Sequence, residues 1–384
     1  MSKILIVGAG LTGSVAARLL ADDGWKVTVF ESKDKVAGQL HDSIDENDVL
    51  FHHYGPHIFH TDNQETLHFM ERFTEFVPFQ LKYISHMTDG VSREMPPNLK
   101  TFAELGVSSD KIDLLEQNGV EQTKREKNNF PMVAIGDLVQ SNSKEISEAA
   151  NKLLMHNYIP YSEKQWGIPF EEVSLSTVNR VGVIPSFKRY YFKNGQSVGL
   201  PRNGYTEMIW SILDHEDIDL KLNRKVNLDE LSDLLDYYDF VIWTGILDER
   251  LPYRSLEFID KTKEFGYDIS NYGYSIEAFP AREYLWTRIT HYKTLNPIPS
   301  ENDKAIAEIP CKWIAGTNDP YYPISSEDND RRSVEAQEKI LRKYNERVIP
   351  LGRLAEYKYY DMDKAVERVL SWYEEFKQGD KRCD

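Results

Sequence analysis

The chain has 384 residues, of which 41% are hydrophobic and 28% charged, and a formal net charge of -16 at pH 7. Such a chain is too long for one simple core and too apolar to be disordered or fibrous, so two or three globular units are expected. The charge argues against nucleic acid as a partner, the two cysteines (Cys311 and Cys383) lie too far apart for a disulfide framework and suit a reducing cytoplasm, and no apolar run of about eighteen residues predicts a membrane span.

In chain order, Lys3 to Val7 reads as a buried strand, and Gly8, Gly10 and Gly13 lead into a helix through Ser14 to Leu20 that Gly24 closes. Val27 to Phe30 is a second strand that ends on Glu31, completing a strand, helix, strand unit of about thirty residues. Glycines in that turn let a backbone approach a pyrophosphate at a helix N-terminus, where free N–H groups and the helix dipole favour anions. Glu31 falls where a carboxylate accepts hydrogen bonds from ribose hydroxyls, so a bound dinucleotide is expected rather than a tight turn alone. Lys33 to Gly38, followed by Gln39, extends the motif as in FAD-binding chains of the glutathione-reductase type, although Ala37 stands where those chains usually have a second glycine.

Between about Pro97 and Arg180, Leu, Glu, Lys and Ala recur at helical spacing, which predicts a helical insertion. A helix is expected over Tyr205 to Leu213, then a buried strand over Asp239 to Gly245 that rejoins the first sheet. Aromatic and β-branched residues from Arg254 to Ile314 predict an antiparallel sheet, and Ala365 to Phe376 a helix that packs back on the nucleotide unit. The expected fold is α/β: a Rossmann-like FAD-binding domain over 1–85, 205–246 and 345–384, a helical substrate or lid domain over 98–183, and an antiparallel sheet domain over 86–97, 184–204 and 247–344.

The segment Tyr54-Gly-Pro-His-Ile-Phe-His-Thr-Asp-Asn63 resembles the signature of the UDP-galactopyranose mutase family. Further stretches resemble that family in the same order: Tyr161 to Gly167, Pro201 to Met208, Tyr253 to Phe258, Trp286 to Thr290, Asn318 to Pro323, and Gly352 to Asp363. The resemblance implies a cytoplasmic isomerase of cell-surface polysaccharide biosynthesis that converts a nucleotide-activated hexopyranose to its furanose form. In that family reduced FAD attacks the anomeric carbon through N5 and displaces the nucleoside diphosphate, and a flavin-sugar adduct carries the ring opening and reclosure. NAD(P)H or another reductant would activate the flavin. UDP-galactopyranose is the default nucleotide-sugar substrate, another UDP- or dTDP-sugar is the variant, and a homodimer is the assembly in view. An FAD-dependent oxidoreductase of the amine-oxidase type and a homologue without catalysis are the competing readings.

Carried over motif by motif, the resemblance gives Arg288 the diphosphate, Tyr322 with neighbouring Tyr321 a phosphate contact, and Tyr359 and Asp361 the sugar and diphosphate pocket. It sets His57 beside the flavin with His60 nearby, Arg353 on the flavin pyrophosphate, and Met362 at the isoalloxazine edge. Tyr158, Tyr161 and Trp166 fall in the nucleotide pocket and Asn98 near the sugar. The histidines at 52, 53, 57 and 60 lack the Cys or acid pattern of a metal site, so none is expected. Asn157 and Tyr158 replace two phenylalanines usual in the family, and Ile184 stands where it carries a second diphosphate-binding arginine on a mobile loop. Lys188 and Arg189 are the candidate substitutes unless they are solvated surface charges. The stretch from about Ile168 to Arg189, broken by Pro169, Gly182 and Pro185, is expected to form a lid that brings in the second cation; if the Lys188 and Arg189 variants keep normal kinetics, Ile184→Arg is expected to raise affinity for UDP-galactose.

Overall fold

The computed structural model describes residues 3–126, 132–173, 178, 181–188, 191–192, 197–262, 273–298 and 300–380. Five parallel strands form the nucleotide unit in the order Ile218–Lys221, Lys26–Phe30, Lys3–Val7, Phe240–Trp243 and Val348–Pro350. Ile4, Leu5 and Ile6 of the central strand are wholly buried, as a parallel sheet covered on both faces requires. One face packs on the helices Leu11–Asp22, Tyr205–Leu213 and Met362–Asp380. The other packs on Leu231, Ile340 and Tyr344. The expected strands at 3–7, 27–30 and 239–245, the helix at 205–213 and the returning C-terminal helix are all present.

A second sheet has seven strands in the order Tyr322–Pro323, Tyr253–Asp260, Ala305–Lys312, Arg288–His291, Ile276–Ala278, Tyr83–His86 and Ser92–Met95. It is antiparallel, as expected, except where Ile276–Ala278 runs parallel to Tyr83–His86. The stretch assigned to this sheet over 184–204 contributes no strand to it among the described residues. Ser197–Pro201 pairs instead with Phe59–Thr61 and Phe76–Pro78. Gly199 permits this, because a Cβ there would stand 2.9 Å from the carbonyl oxygen of Val77. The helix Glu327–Lys343 likewise packs against Val348–Pro350 of the nucleotide sheet rather than extending the seven-stranded one.

The predicted insertion is helical over Leu99–Glu104, Ser109–Glu126, Ile135–Val139, Lys144–Leu153 and Ile159–Trp166. In Lys144–Leu153 the buried residues are Ile146, Ala149, Ala150 and Leu153, a single apolar stripe at helical spacing that faces Leu99 and Phe102.

One long-range tie fixes the Gly204-Tyr205-Thr206 turn. The buried Asp42 carboxylate accepts the backbone N–H of Tyr205 at 2.6 Å and of Thr206 at 2.8 Å, satisfying the first turn of the helix from outside. Gly204 sits at φ 88°, and a Cβ there would lie 2.7 Å from Asp42 Oδ2. Gly204→Ala should therefore cost about 1–3 kcal/mol of stability. The measurement is the urea midpoint, and an unchanged midpoint would show that the tie relaxes freely.

Candidate active site

The glycine turn is built as the sequence implies. A side chain at Gly8 would strike Thr244, whose hydroxyl donates to the Val7 carbonyl at 2.7 Å, and one at Gly13 would strike the Gly8 carbonyl. Glu31 Oε2 accepts the Ala9 N–H at 2.8 Å and Oε1 the Lys33 N–H at 2.9 Å, so the acid locks the turn while keeping lone pairs for a ligand. Ala37 is left-handed at φ 77°, which explains the usual glycine and costs this chain roughly 1 kcal/mol. Its N–H still reaches the Ala9 carbonyl at 2.9 Å.

These residues line a cavity of about 360 Å³ that also takes in Gly10, Gly38, Gln39, His57, Arg353, Asp361 and Met362. Arg224, Lys225 and Val226 line it too. Sequence reading missed those three, since they reach the cavity through the docking of the Asn223 and Arg224 N–H groups on the Lys33 and Glu31 carbonyls, at 2.9 and 2.8 Å. The long cavity, the glycine cradle and the acid together fit a dinucleotide.

His57 lines this cavity. Its Nδ1 lies 2.9 Å from the Gly55 carbonyl, which can only accept, so Nδ1 carries the proton and Nε2 is the acceptor. Burial, then His52, Arg353 and Arg288, hold its pKa well below the ordinary value, so the ring is neutral. The His57 backbone N–H donates to His52 Nδ1 at 3.1 Å, and burial lowers the His52 pKa to about 4. Tyr205 donates its hydroxyl to the His57 carbonyl at 3.1 Å, so the Gly-Tyr-Thr turn positions this loop. His60 lies apart from the cavity lining and packs against Phe192, with ring centroids 4.4 Å apart and the rings tilted by 31°.

Arg288 lies across the ladder from Glu308, and its Nε donates to Glu308 Oε1 at 2.7 Å. Burial opposes the Arg288 charge, and the Glu308 carboxylate more than offsets that. Glu308 is 1% exposed and was not singled out in the sequence; a Cβ at Gly55 would lie 3.2 Å from its Oε2. Around Arg288 stand Tyr161, hydrogen-bonded to Tyr83, and Tyr322, whose ring stacks on Tyr359 at 5.4 Å and 16°. Trp166 meets Tyr322 edge-on at 5.9 Å. Tyr321 turns away into a cluster with Tyr54 and Phe258, so Tyr322 is the one of the pair that faces the site. Arg254, another residue without a sequence signal, donates from Nε to the Gln165 carbonyl at 3.0 Å and so fixes the helix end that carries Trp166.

Two of the expected ligand-contact side chains are hydrogen-bonded within the protein. Asn98 caps the helix Leu99–Glu104 by accepting the Thr101 N–H at 3.2 Å, and Tyr158 is buried with its hydroxyl on the Val181 carbonyl at 2.9 Å. Lys188 is exposed, with its backbone N–H 3.3 Å from Ser186 Oγ, and Arg189 lies outside the described residues. Ile184 is 1% exposed, and its N–H donates to the Pro97 carbonyl at 2.7 Å. Val183 and Val133 exchange backbone hydrogen bonds of 2.8 and 2.9 Å beside it. In this structure the middle of the expected lid is therefore docked on the helical unit.

Comparison with known proteins agrees with this geometry. Residues 157–359 match the family described as UDP-galactopyranose mutase, and residues 6–73 an NAD(P)-binding Rossmann-like domain. The sequence is 31% identical to a probable UDP-galactopyranose mutase of Klebsiella pneumoniae, over 97% of this chain and 94% of that one. It is 27% identical to dTDP-fucopyranose mutase of Escherichia coli, over 96% of this chain and 97% of that one. A crystal structure of reduced UDP-galactopyranose mutase shares the fold, with a TM-score of 0.68 at 14% identity over 98% of this chain and 94% of that one. Fold and site define an enzyme of the sugar-nucleotide mutase class with a Rossmann-like dinucleotide unit. The chain belongs to the UDP-galactopyranose mutase family. No helix among the described residues is long and apolar enough to cross a membrane.

The burial of Ile184 reverses the expectation for Ile184→Arg. An arginine there would bury an unpaired charge, so the variant should lose roughly 3–5 kcal/mol and gain no nucleotide affinity. Urea unfolding and UDP titration check this, and a variant of normal stability that binds UDP more tightly would show that the segment undocks in solution.

Proposed function

We propose that this protein interconverts the pyranose and furanose forms of a sugar carried on a nucleoside diphosphate, with FAD in the 360 Å³ cavity. The observation that carries the reading is a meeting of two sites. The dinucleotide cavity is lined by His57, Arg353 and Asp361, and the Arg353 guanidinium carbon lies 5.5 and 5.0 Å from the ring centres of Tyr322 and Tyr359, the stacked phenols beside Arg288. When bound and reduced, the flavin supplies a nucleophilic nitrogen for the anomeric carbon and is restored each turnover. NAD(P)H is the natural class of reductant, and a reducing cytoplasm suits it.

The side chains then act on the departing diphosphate. Arg288 spends Nε on Glu308, which aligns the guanidinium and leaves its Nη donors for phosphate oxygens. Burial, then the Tyr359 hydroxyl, push the Tyr322 phenol's pKa up against the pull of Arg288 and Arg353, so it stays protonated and donates as negative charge develops. Neutral His57 offers Nε2 as an acceptor and adds no second proton. Tyr161 and Trp166 provide flat surfaces for the nucleoside, and Tyr359 and Asp361 border the sugar.

UDP-galactose is the first substrate to test. A dTDP-deoxysugar is the second, favoured by the full-length similarity to the Escherichia coli dTDP-fucopyranose mutase. An amine oxidase has no use for a buried arginine with two phenols beside it, which argues against the oxidoreductase reading.

Two outcomes test the reading. Denatured protein should release FAD, and anaerobic dithionite in less than stoichiometric amount to product should switch on furanose formation; product limited by added reductant would instead make the enzyme an oxidoreductase. Arg288→Ala should lower kcat by about 10²–10³, the loss typical of one transition-state donor. Near-normal kcat in that variant would remove Arg288 from the chemistry.

A further inference from the structure

The site is split between two units. Tyr161 and Trp166 come from the helix Ile159–Trp166, whereas Arg288 and Tyr322 come from the seven-stranded sheet. Trp166 meets Tyr322 across the seam at 5.9 Å, so the seating of the helix fixes the width of the cleft between them. Three consecutive residues at the end of that helix, Glu163, Lys164 and Gln165, reach over to the connection between the strands Ile276–Ala278 and Arg288–His291, the segment that leads into Arg288. We infer that Lys164 is a positioning residue that seats this helix against the sheet and so holds the nucleotide-facing rings in place relative to Arg288, an inference that rests on the mutase reading above.

Magnitudes single out Lys164 from its two neighbours. Arg282 donates to Glu163 at 2.7 Å, but that arginine's side chain is 80% exposed, and a solvated pair of this kind adds little. Gln165 Oε1 accepts the hydroxyl of the wholly buried Thr287 at 3.0 Å, a single neutral hydrogen bond. Lys164 Nζ donates to the Phe279 carbonyl at 2.8 Å and to the Ala281 carbonyl at 2.9 Å. Bonds from a charged donor are roughly twice as strong as neutral ones, and Lys164 makes two of them. Phe279 and Ala281 are both buried, so carbonyls left unpaired there would be costly.

Among the described residues Lys164 makes no ion pair with a carboxylate. Burial lowers its pKa to about 8 against the pull of Glu283, so the ammonium, with three donors, is the main form at pH 7. A partly desolvated cation set on two neutral carbonyls is a poor device for stability alone. It suits a contact whose value is geometric. Arg254 ties the same helix to the strand Tyr253–Asp260, and Lys164 ties it to the connection that ends in Arg288. Helix and arginine are thereby referred to one short stretch of chain.

The test uses the flavin-loaded protein as wild type, Lys164→Met and Lys164→Arg, with amide hydrogen exchange read by mass spectrometry and UDP titrated calorimetrically. In Lys164→Met the amides of residues 159–166 should exchange about tenfold or more faster, while those of the nucleotide sheet keep the wild-type rate. UDP should bind about tenfold more weakly, with flavin content unchanged. Lys164→Arg, which keeps the charge and the donors, should recover part of both losses. Because Lys164 acts through the helix, Lys164→Met should weaken UDP binding much less in a Trp166→Ala background than in wild type. Wild-type exchange over 159–166 in Lys164→Met, or UDP losses that simply add to those of Trp166→Ala, would overturn the proposal. Faster exchange spread over the whole chain, with flavin lost, would make Lys164 a general stability residue and overturn it as well. Wild type that binds no UDP at all would sink the mutase reading, and the exchange rates would still decide whether Lys164 seats the helix.

Discussion

Arg288 and Glu308 face each other from adjacent strands, and three separate parts of the chain converge on them. Burying two charges is expensive and repaid only by good geometry. Here the geometry is set by the strand register, which puts both side chains on one face of the sheet, and by Gly55, whose missing Cβ lets the carboxylate lie against the histidine loop. That loop presents His57 to the dinucleotide cavity, while Arg288 looks toward Tyr322 and Tyr161. A carboxylate displaced by even a side-chain rotation would release the arginine and the loop together. The pair therefore acts as a registration point between the sheet and the nucleotide unit, and its contribution to net stability is secondary.

Local chemistry carried most of what the sequence disclosed. The turn at Gly8 to Gly13, the acid at Glu31 and the strands around them were legible because each depends on neighbours within about thirty residues. The resemblance points to Tyr322 with Tyr321 beside it, and in the structure Tyr321 packs with Tyr54 and Phe258 while Tyr322 lies by Arg288. What escaped were residues whose meaning lies in a distant partner. Nothing near Asp42 announces that it caps a helix at Tyr205, and nothing near Arg254 that it holds Trp166. Asn98 and Tyr158 also take partners inside the protein: Asn98 Oδ1 caps the helix Leu99–Glu104, and the Tyr158 hydroxyl reaches the Val181 carbonyl. Ile184 taught the same lesson, because a family position read as a mobile loop is here paired to Pro97.

The charge distribution separates long range from contact. With a net charge of -16, the molecule as a whole repels an anionic ligand. Screening confines that repulsion to about 8 Å at physiological salt. Inside the cleft the balance is set instead by two guanidiniums, neutral histidines and protonated phenols. Burial raises the energy of every unpaired charge there, which keeps His52 and His57 uncharged and leaves the arginines as the permanent cations. An anionic ligand in this cleft would be recognised by hydrogen-bond geometry at contact, with little help from steering.

The order of strands in the nucleotide sheet has a consequence for how the protein is made. Lys3–Val7 is synthesised first, yet one of its partners is Phe240–Trp243, and the outermost strand of the sheet, Val348–Pro350, comes close to the end of the chain. Thr244 and Gly352, which pack on Gly8 and Thr12, arrive with them. At ribosomal speeds the chain takes roughly 20–80 s to emerge. Until Phe240–Trp243 is made, one edge of the first strand, apolar from Ile4 to Val7, stays unpaired, so the nascent chain presents a sticky surface suited to chaperone capture. The glycine turn at Gly8 to Gly13 therefore gains its full packing only after Thr244 and Gly352, more than two hundred residues on, have been made.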